Sequence, residues 1–353
     1  MRIVFAVFAL LSAFCSLGQA AIIRVPADQP TIQAAIDASS SGDEIVIAAG
    51  TYDVASPHAL PQGDLAFRGV GQVVLTGSTS AFFQAVRPLI ENRFRFENLT
   101  FAGNPIGIYT PVPAADLLRT HLELQNCWFS ENDKGIWARN YGDLNVTDCR
   151  FEGGGTAIYL LSATLHAQDC TFIGLQLAIH SDDAPPSGLM ERCLFADCTG
   201  PNGTLWLPWS SDFTLRQCTL DGCGAPGGAA IVSTFLSWIN LDRCIVTNGA
   251  GAAFACGFEN IYLTCSDIWN NAEGDWNDCA IGGPNDLDNF SADPLFCNPG
   301  AGDYTIDANS PCAASGNDCG VIVGAFAVGC GVTGIPELPP VEATSLSAIK
   351  SLY

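Results

Sequence analysis

The phrase LELQNCWF (122–129) returns along this chain without gaps, as LNVTDCRF (144–151), LHAQDCTF (165–172), FTLRQCTL (213–220) and INLDRCIV (239–246). FRFENLTF (94–101) has the same form, with Leu99 in place of the cysteine. Cysteines recur every 21 to 26 residues through this region: Cys127, Cys149, Cys170, Cys193, Cys218, Cys244 and Cys265. A repeat of this length is one supersecondary unit that cannot bury its own apolar face, so consecutive units must stack on one another.

The alternation within the phrase predicts two short strands that meet at a corner. Leu122 and Leu124 point inward, Asn126 breaks the alternation, and Cys127 and Phe129 point inward again. Short polar side chains suit such a bend because they bond local backbone and tolerate left-handed conformations. They occupy most corners: Asn98, Asn126, Asp148, Asp169 and Gln217. Arginine does this less well, so we expect the corners at Arg192 and Arg243 to look different.

A further strand follows the phrase in each repeat, and its third residue should face outward. Its versions are GIYT (107–110), GIWA (135–138), AIYL (157–160), AIHS (178–181), TLWL (204–207), AIVS (230–233) and AFAC (253–256). Before the repeats, Thr31 can cap a short helix in which Ile32, Ala35 and Ile36 share one face. A helix placed there would cover the open end of the core.

The start TIQAAIDA (31–38) and GDEIVIAAGTY (42–52), together with the repeated phrase, resembles the right-handed parallel β-helix proteins of the pectin-lyase-like superfamily. The resemblance covers about residues 22 to 330. It implies an all-β fold, a single-stranded right-handed parallel β-helix (a solenoid) with an N-terminal capping helix, and a polysaccharide partner. The closing stretch, 291–331, is similar to the end of bacterial exported members of this group.

The chain divides into three parts. Residues 1–20 predict a secretory signal, apolar from Ile3 to Phe14 and ending in the small-residue site Gly18-Gln19-Ala20. The β-helix is expected over 21–331, and a Pro-rich linker or tail over 332–353. No later run is apolar enough to cross a membrane. We therefore expect a secreted or cell-surface protein and, with one continuous core, a monomer.

Charge and cysteine content narrow the partners and the chemistry. A formal net charge of −22 with only two lysines would repel phosphate backbones, which disfavours nucleic acid. Equivalent side chains on stacked parallel strands stand about 4.8 Å apart at their Cβ atoms, which is wider than a disulfide prefers. We therefore expect the repeat cysteines to form a buried column of thiols. The better disulfide candidates lie in the loop-rich end: Cys297, Cys312, Cys319 and Cys330.

The outward position of the further strand holds a ring in five consecutive coils, and we call this set the aromatic ladder: Tyr109, Trp137, Tyr159, His180 and Trp206. Exposed aromatic rows mark binding surfaces, and flat rings offer faces on which sugar rings stack. The ladder is the candidate carbohydrate-binding site. The alternative is that the loops at 111–118 and 207–212 fold over the rings.

The pair Asp182-Asp183, two residues after His180, is the best catalytic candidate, and Arg139 just beyond the ladder completes the candidate set. Two carboxylates near a glycosidic bond can serve as acid and base or nucleophile. Hydrolases of the polygalacturonase type carry an adjacent Asp pair, but also a Gly-His-Gly and an Arg-x-Lys that this chain lacks. The alternative is a solvated loop at 181–188. Lyase and esterase signatures are likewise absent, so catalysis is left open.

Other polar residues give weaker signals. GDWNDC (274–279) and PNDLDNFSAD (284–293) concentrate oxygen ligands that suit calcium, but the spacing does not match an EF-hand and an acidic surface loop is the simpler interpretation. We expect no other cofactor or metal. His58, His121 and His166 are interpreted as surface residues. Two functions remain open: a secreted protein that binds, or binds and processes, polysaccharide on its outer face, and a non-catalytic structural or adhesive rod.

Overall fold

The computed structural model describes residues 20–111, 118–139, 142–182, 186–257 and 261–331. The predicted signal, apart from its last residue, and the predicted tail at 332–353 lie outside these ranges. The described part is an all-β parallel solenoid of about 13 turns with one α-helix, Ile32–Ala38. Each coil contributes strands to three faces, which we call the first, second and third face. The fold class predicted from the repeats is confirmed.

The first face contains the first strand of each phrase, and the second face contains the strand after the corner. The first face consists of Ile22–Val25, Asp43–Asp53, Asp64–Thr76, Asn92–Glu97, Thr120–Gln125, Asp143–Thr147, Thr164–Gln168, Ser187–Glu191, Asp212–Arg216, Trp238–Asp242, Ile261–Thr264 and Ala280–Ile281. Asp43–Asp53 and Asp64–Thr76 are long enough to continue into the second face. That face goes on through Thr100–Ala102, Trp128–Ser130, Arg150–Glu152, Thr171–Ile173, Leu194–Ala196, Thr219–Asp221, Ile245–Thr247 and Asp267–Trp269.

The third face is a separate nine-stranded parallel sheet. Its strands are His58–Leu60, Ala81–Ala85, Ile106–Thr110, Lys134–Ala138, Thr156–Leu161, Leu177–Asp182, Leu205–Leu207, Ala229–Ser233 and Ala252–Cys256. The residues predicted to be inward, such as Ile136 and Ala138, are buried, whereas Trp137 between them is half-buried on the outside. The alternation in sequence therefore sets the inner and outer sides of this sheet.

Equivalent letters of the phrase stack directly above one another. Leu122 is paired with Leu144, and Leu144 with Leu165, in successive parallel strands. In five successive coils the last position of the phrase holds a phenylalanine, and the five rings form a continuous parallel stack with centroids 4.7 to 5.0 Å apart: Phe101, Phe129, Phe151, Phe172 and Phe195. Such a stack fixes the register between coils, because a slip of one residue would turn every ring out of the core.

The corner residues adopt the left-handed conformation that their side chains suggested. Asn126 and Asp148 have φ values of 51° and 53°, in the region that non-glycine residues seldom enter. Arg192 and Arg243 have φ values of 50° and 57°, so the expectation that their corners differ is wrong. The stacked backbone imposes the bend whatever the side chain. Arg192 instead reaches the corner residue of the previous coil, Asp169, through hydrogen bonds of 2.7 and 2.8 Å.

The repeat cysteines form a buried thiol column with one exception. Cys127, Cys149, Cys170, Cys193, Cys218 and Cys244 are buried and free. Cys265 was predicted to belong to the column, but it occupies the corner, with φ 50°, and Ser266 fills the inward position. The prediction for Cys265 is therefore wrong. Its side chain instead forms a disulfide with Cys319.

The single helix packs at the start of the solenoid, in contact with the strands Ile22–Val25, Asp43–Asp53 and His58–Leu60. The side chain of Thr31 accepts a hydrogen bond from the amide of Ala34 at 3.1 Å, which is the predicted N-cap. The predicted face of Ile32, Ala35 and Ile36 is buried in the main core. A capping role for this helix agrees with its position.

The closing stretch folds back along the outside of the second face. It contains a small sheet of Phe296–Asn298, Asp303–Asp307 and Val328–Cys330, with a 3-10 turn at Pro299–Ala301. Tyr304 packs against the outward side chains of Leu194 and Ala196. The amide of Ala325 donates to the hydroxyl of Thr219 at 3.0 Å. The outward side of these central coils is therefore covered by protein.

Three disulfides stabilise the C-terminal half: Cys256–Cys279, Cys265–Cys319 and Cys297–Cys330. Three of the four cysteines singled out in the closing stretch are thus bonded. Cys312 is free, fully buried, and donates to the carboxylate of Asp267 at 3.2 Å, so its assignment as a disulfide candidate is wrong. Within the described ranges, no helix is long and apolar enough to cross a membrane.

Candidate functional site

The aromatic ladder has the predicted register. Trp137 is paired with Tyr109 on one side and with Tyr159 on the other. Tyr159 is paired with His180, and His180 with Trp206. The column continues to Gln84 at one end and to Val232 and Ala255 at the other, where it is no longer aromatic. Five rings therefore stand in one line along the outside of the third face.

The rings touch one another along the whole column. Their centroids lie 5.1 Å apart for Tyr109 and Trp137, 5.7 Å for Trp137 and Tyr159, 4.3 Å for Tyr159 and His180, and 4.5 Å for His180 and Trp206. The first three contacts are tilted or edge-on at 51° to 66°, whereas His180 and Trp206 are stacked at 20°. All five rings are half-buried. Neighbouring rings thus shield part of each other. Of the two loops that could cover the rings, most of the one at 111–118 lies outside the described residues.

Two cations flank Trp137. The Lys134 amine lies 5.6 Å from the ring centroid and the Arg139 guanidinium 5.4 Å from it, both within cation–π range. The amine of Lys134 also contacts Asp133 at 3.1 Å. The indole N–H of Trp137 is buried and has no hydrogen-bond partner among the residues that the structure describes. An unpaired donor of this kind is unfavourable by roughly 1–3 kcal/mol, so an acceptor that reached it would be favoured.

A hydroxyl–carboxylate pair lies beside the middle of the ladder. The Tyr159 hydroxyl donates to Oδ2 of Asp182 at 3.1 Å. Burial, followed by the charge of Asp182, raises the pKa of Tyr159 to about 12, while Arg139 opposes the shift. Tyr159 therefore stays protonated as a donor at neutral pH. Burial lowers the pKa of His180, with Lys134 adding to the effect and Asp182 opposing it, so its imidazole is neutral at pH 7.

The candidate catalytic residues are only partly described. Asp182 ends the strand Leu177–Asp182 next to Tyr159, and Arg139 follows the strand Lys134–Ala138 next to Trp137. Asp183 lies outside the described residues. The described arrangement provides a hydroxyl donor, a carboxylate acceptor and a cation around the rings, which can orient a polar ligand. Whether a second carboxylate completes an acid/base pair remains a prediction.

In the acidic segments that suggested calcium, Asp275 and Asp293 accept hydrogen bonds from backbone amides. The carboxylate of Asp275 accepts from the amides of Asn270 and Asn271 at 3.1 and 2.7 Å. No group of three or more His, Cys, Asp or Glu side chains within the described ranges could hold a metal ion.

Two of the three histidines interpreted as surface residues are buried. His58 is 5% exposed and His121 is 9% exposed. The ring nitrogens of His121 lie 2.8 Å from Glu91 and 3.1 Å from Asp143, which are contributed by the coils on either side. Sequence reasoning missed these contacts because they join neighbouring coils at the edge of the repeated phrase. His166 is exposed, as predicted.

Two further surface features were not predicted. A cleft of about 450 Å³ on the outside of the first face is lined by Arg95, Glu97, Glu123, Gln125 and neighbouring residues. The guanidinium of Arg95 bonds the carboxylate of Glu123 at 2.9 and 3.0 Å, so the charges of the cleft are largely paired. The second feature is a group of exposed rings at the turn after the third face, around Trp209 and Phe235.

The sequence comparisons agree with this architecture. Residues 91–268 match the family described as the right handed beta helix region, and they span half of the chain. The chain therefore belongs to the right-handed β-helix family. A comparison with curated proteins gives no match.

Proposed function

We propose that this chain is an extracellular polysaccharide-binding protein that holds its ligand along the aromatic ladder. The observation that carries the proposal is the unbroken contact of five outward rings in successive coils. In many proteins the right-handed β-helix fold binds or processes polysaccharide, which supports the choice of ligand. Fold alone does not determine function, so the proposal depends on the ladder.

The chemistry of the ladder suits a sugar polymer. The tilted rings between Tyr109 and His180 leave apolar ring surface open, and the C–H faces of pyranose rings pack on such surface. Arg139 and Asp182 provide a donor and an acceptor for sugar hydroxyls beside the rings. An extended polymer matches a straight column better than a compact ligand does, because successive coils repeat the same contact.

Two observations support an extracellular location. Three disulfides are typical of proteins that fold in an oxidising compartment. The segment at 1–20 has the composition of a secretory signal. We therefore place the protein outside the cytoplasm, in solution or at the cell surface.

Affinity electrophoresis in gels containing single polysaccharides tests the ladder. Trp137→Ala and Trp206→Ala should each lose a large part of the retardation that the wild type shows on its matching polymer. Trp128→Ala is the matched control, because Trp128 is 39% exposed on the second face, away from the ladder. Equal migration of both ladder variants and the wild type on every retarding polymer would favour the structural or adhesive rod instead.

A second and more specific proposal is that the protein also processes the polymer that it binds. It would use Asp182 and Asp183 as the carboxylate pair with Arg139 beside them. A screen for reducing sugars and unsaturated products, with and without calcium, tests for turnover. A product that forms with wild type and disappears with Asp182→Asn, while the retardation is kept, would support it.

A further inference from the structure

A second aromatic surface lies around the corner from the ladder, and we call it the turn platform: Trp209, Phe235, Trp238 and Tyr262. Trp209 and Phe235 stack face to face, with centroids 4.3 Å apart and planes 5° apart. Trp238 and Tyr262 stack in the same way at 5.5 Å and 4°. Trp209, Phe235 and Trp238 are 50%, 56% and 58% exposed, which is more than any ring of the ladder. Large exposed rings that stack in pairs between neighbouring coils indicate a binding surface.

The backbone holds these rings outward in a conformation that is unfavourable for them. Trp209 has φ 60° and Phe235 has φ 55°, in equivalent turns of successive coils. A positive φ is unfavourable for bulky residues, and here, as at the corners of the repeated phrase, the stacked backbone imposes it. The turns are joined by hydrogen bonds from the Trp209 amide to Thr234 at 3.1 Å and from the Ser210 amide to Phe235 at 2.7 Å.

Buried serines make the turn rigid. The hydroxyl of Ser237 donates to the carbonyls of Leu207 and Thr234 at 3.0 and 2.8 Å, and it accepts from the amide of Ser211 at 3.2 Å. A rigid frame keeps the rings in place before a ligand arrives, which reduces the entropy lost on binding.

The turn platform begins where the aromatic ladder ends. Trp206, the last ring of the ladder, and Trp209 belong to the same coil. In the next two coils the ladder position holds Val232 and Ala255, which are not aromatic. The aromatic residue of the next coil is instead Phe235, at the turn. Aromatic surface is thus kept but moves from the flat face to the corner.

The charge pattern identifies the kind of ligand. The segments TLWLPWSS (204–211) and AAIVSTFLSW (229–238) contain no charged residue, and the first charge after the former is the exposed carboxylate of Asp212, the strand partner of Trp238. The chain as a whole carries a formal net charge of −22. A second copy of the chain, an anionic membrane or a nucleic acid would be repelled by that charge. A neutral sugar polymer is not repelled, and its C–H faces and hydroxyls match rings interleaved with Ser210 and Thr234.

We propose that the turn platform is a second glycan site, specific for neutral polysaccharide and independent of the aromatic ladder. The rings of Trp209 and Phe235 supply the outer stacking surfaces, and Trp238 with Tyr262 extends them along the rod. The ladder differs, because charged groups of Lys134, Arg139 and Asp182 surround it.

The test measures binding of the intact protein to two neutral polymers, hydroxyethyl cellulose and galactomannan, by affinity electrophoresis. Trp209→Asn and Phe235→Asn remove one ring each, and asparagine tolerates the left-handed backbone. Each variant should lower the affinity for the retarding polymer about tenfold, the size of a stacking contact of about 1.4 kcal/mol. Trp128→Ala should bind like the wild type.

Three results would overturn the proposal. The first is wild-type affinity of both platform variants, and the second is no retardation of wild type by either neutral polymer. The third is self-association of wild type in sedimentation velocity that both variants abolish, since the surface would then join copies of the chain. Loss of binding in Trp137→Ala alone would support the ladder and reject the platform, so the two proposals fail separately.

Discussion

The backbone amide of Cys244 donates a hydrogen bond of 3.0 Å to the hydroxyl of Ser266, which occupies the equivalent position one coil later. The amide of Ser266 repeats the contact with Oδ1 of Asn289 at 2.9 Å. In the column of thiols, the Cys127 amide meets the sulfur of Cys149 at 3.4 Å. At these three corners the side chain at the inward position therefore does more than fill space, because it accepts a hydrogen bond from a buried amide of the preceding coil.

A count of the thiols that react in the native and in the denatured protein tests this arrangement. Burial raises the pKa of Cys193 and Cys218 well above the ordinary value, so these thiols stay protonated and unreactive. Native protein should resist iodoacetamide, whereas denaturation without reductant should expose the nine free cysteines of the described residues: Cys127, Cys149, Cys170, Cys193, Cys198, Cys218, Cys223, Cys244 and Cys312. Mass spectrometry counts the adducts. Rapid labelling of the native protein at Cys170 would contradict a sealed column.

A buried carboxyl predicts how stability depends on pH. Asp267 is fully buried, and it accepts hydrogen bonds from the Ala292 amide at 3.0 Å and the Cys312 thiol at 3.2 Å. Burial raises the pKa of Asp267 to about 7, from 3.8. Between about pH 4 and 7, Asp267 is therefore protonated in the native state and ionised in the unfolded state. Because the native state binds the extra proton, the free energy of unfolding falls as pH rises through this range.

Asp267→Asn should remove that fall. The free energy of unfolding of the variant relative to wild type should increase between about pH 4 and about pH 7, by roughly 1.4 kcal/mol for each step of one in pH, and stay level at higher pH. Urea denaturation at a series of pH values measures it. Asp64→Asn, at an exposed position, is the control. A difference between Asp267→Asn and wild type that does not change with pH would show that Asp267 ionises normally.

The left-handed conformation of Phe235 predicts an unusual order of stabilities. Phe235→Ala and Phe235→Gly lose the same ring, but only glycine accepts φ 55° without a clash of Cβ. The glycine variant should therefore be more stable than the alanine variant by about 1 kcal/mol. At an ordinary extended position alanine is the more stable of the two. Urea midpoints that follow the ordinary order would mean that the backbone at this turn is not strained.

The repeated phrase was sufficient to predict the stacking of the coils, because strand side chains alternate with a period of two and the phrase aligns without gaps. That is why the register of Trp137 with Tyr159 followed from sequence. The role of Cys265 did not follow from sequence. Its spacing from Cys244 fits the repeat, but the coil is shifted by one residue, so that Cys265 occupies the corner and Ser266 points inward. His121 was missed because its burial depends on Glu91 and Asp143 from other coils.

The turns and the closing stretch were beyond sequence reasoning for a different reason. The rings of Trp209 and Phe235 belong to connections outside the repeated phrase, where only the positive φ values bring them together. Cys312 looked like a disulfide partner because nothing in its neighbourhood indicated that the stretch would fold back and bury it against Asp267. Long-range docking of an irregular segment leaves no periodic signal.

Isothermal titration calorimetry with oligosaccharides from the polymer that best retards the wild type tests the aromatic ladder most directly. A double variant, Trp137→Ala with Tyr159→Ala, should bind at least tenfold more weakly, since two stacking contacts contribute about 1 kcal/mol or more each. Trp128→Ala should keep the wild-type dissociation constant. If the double variant and the wild type bind with the same affinity, the column of rings is not where this protein holds its glycan.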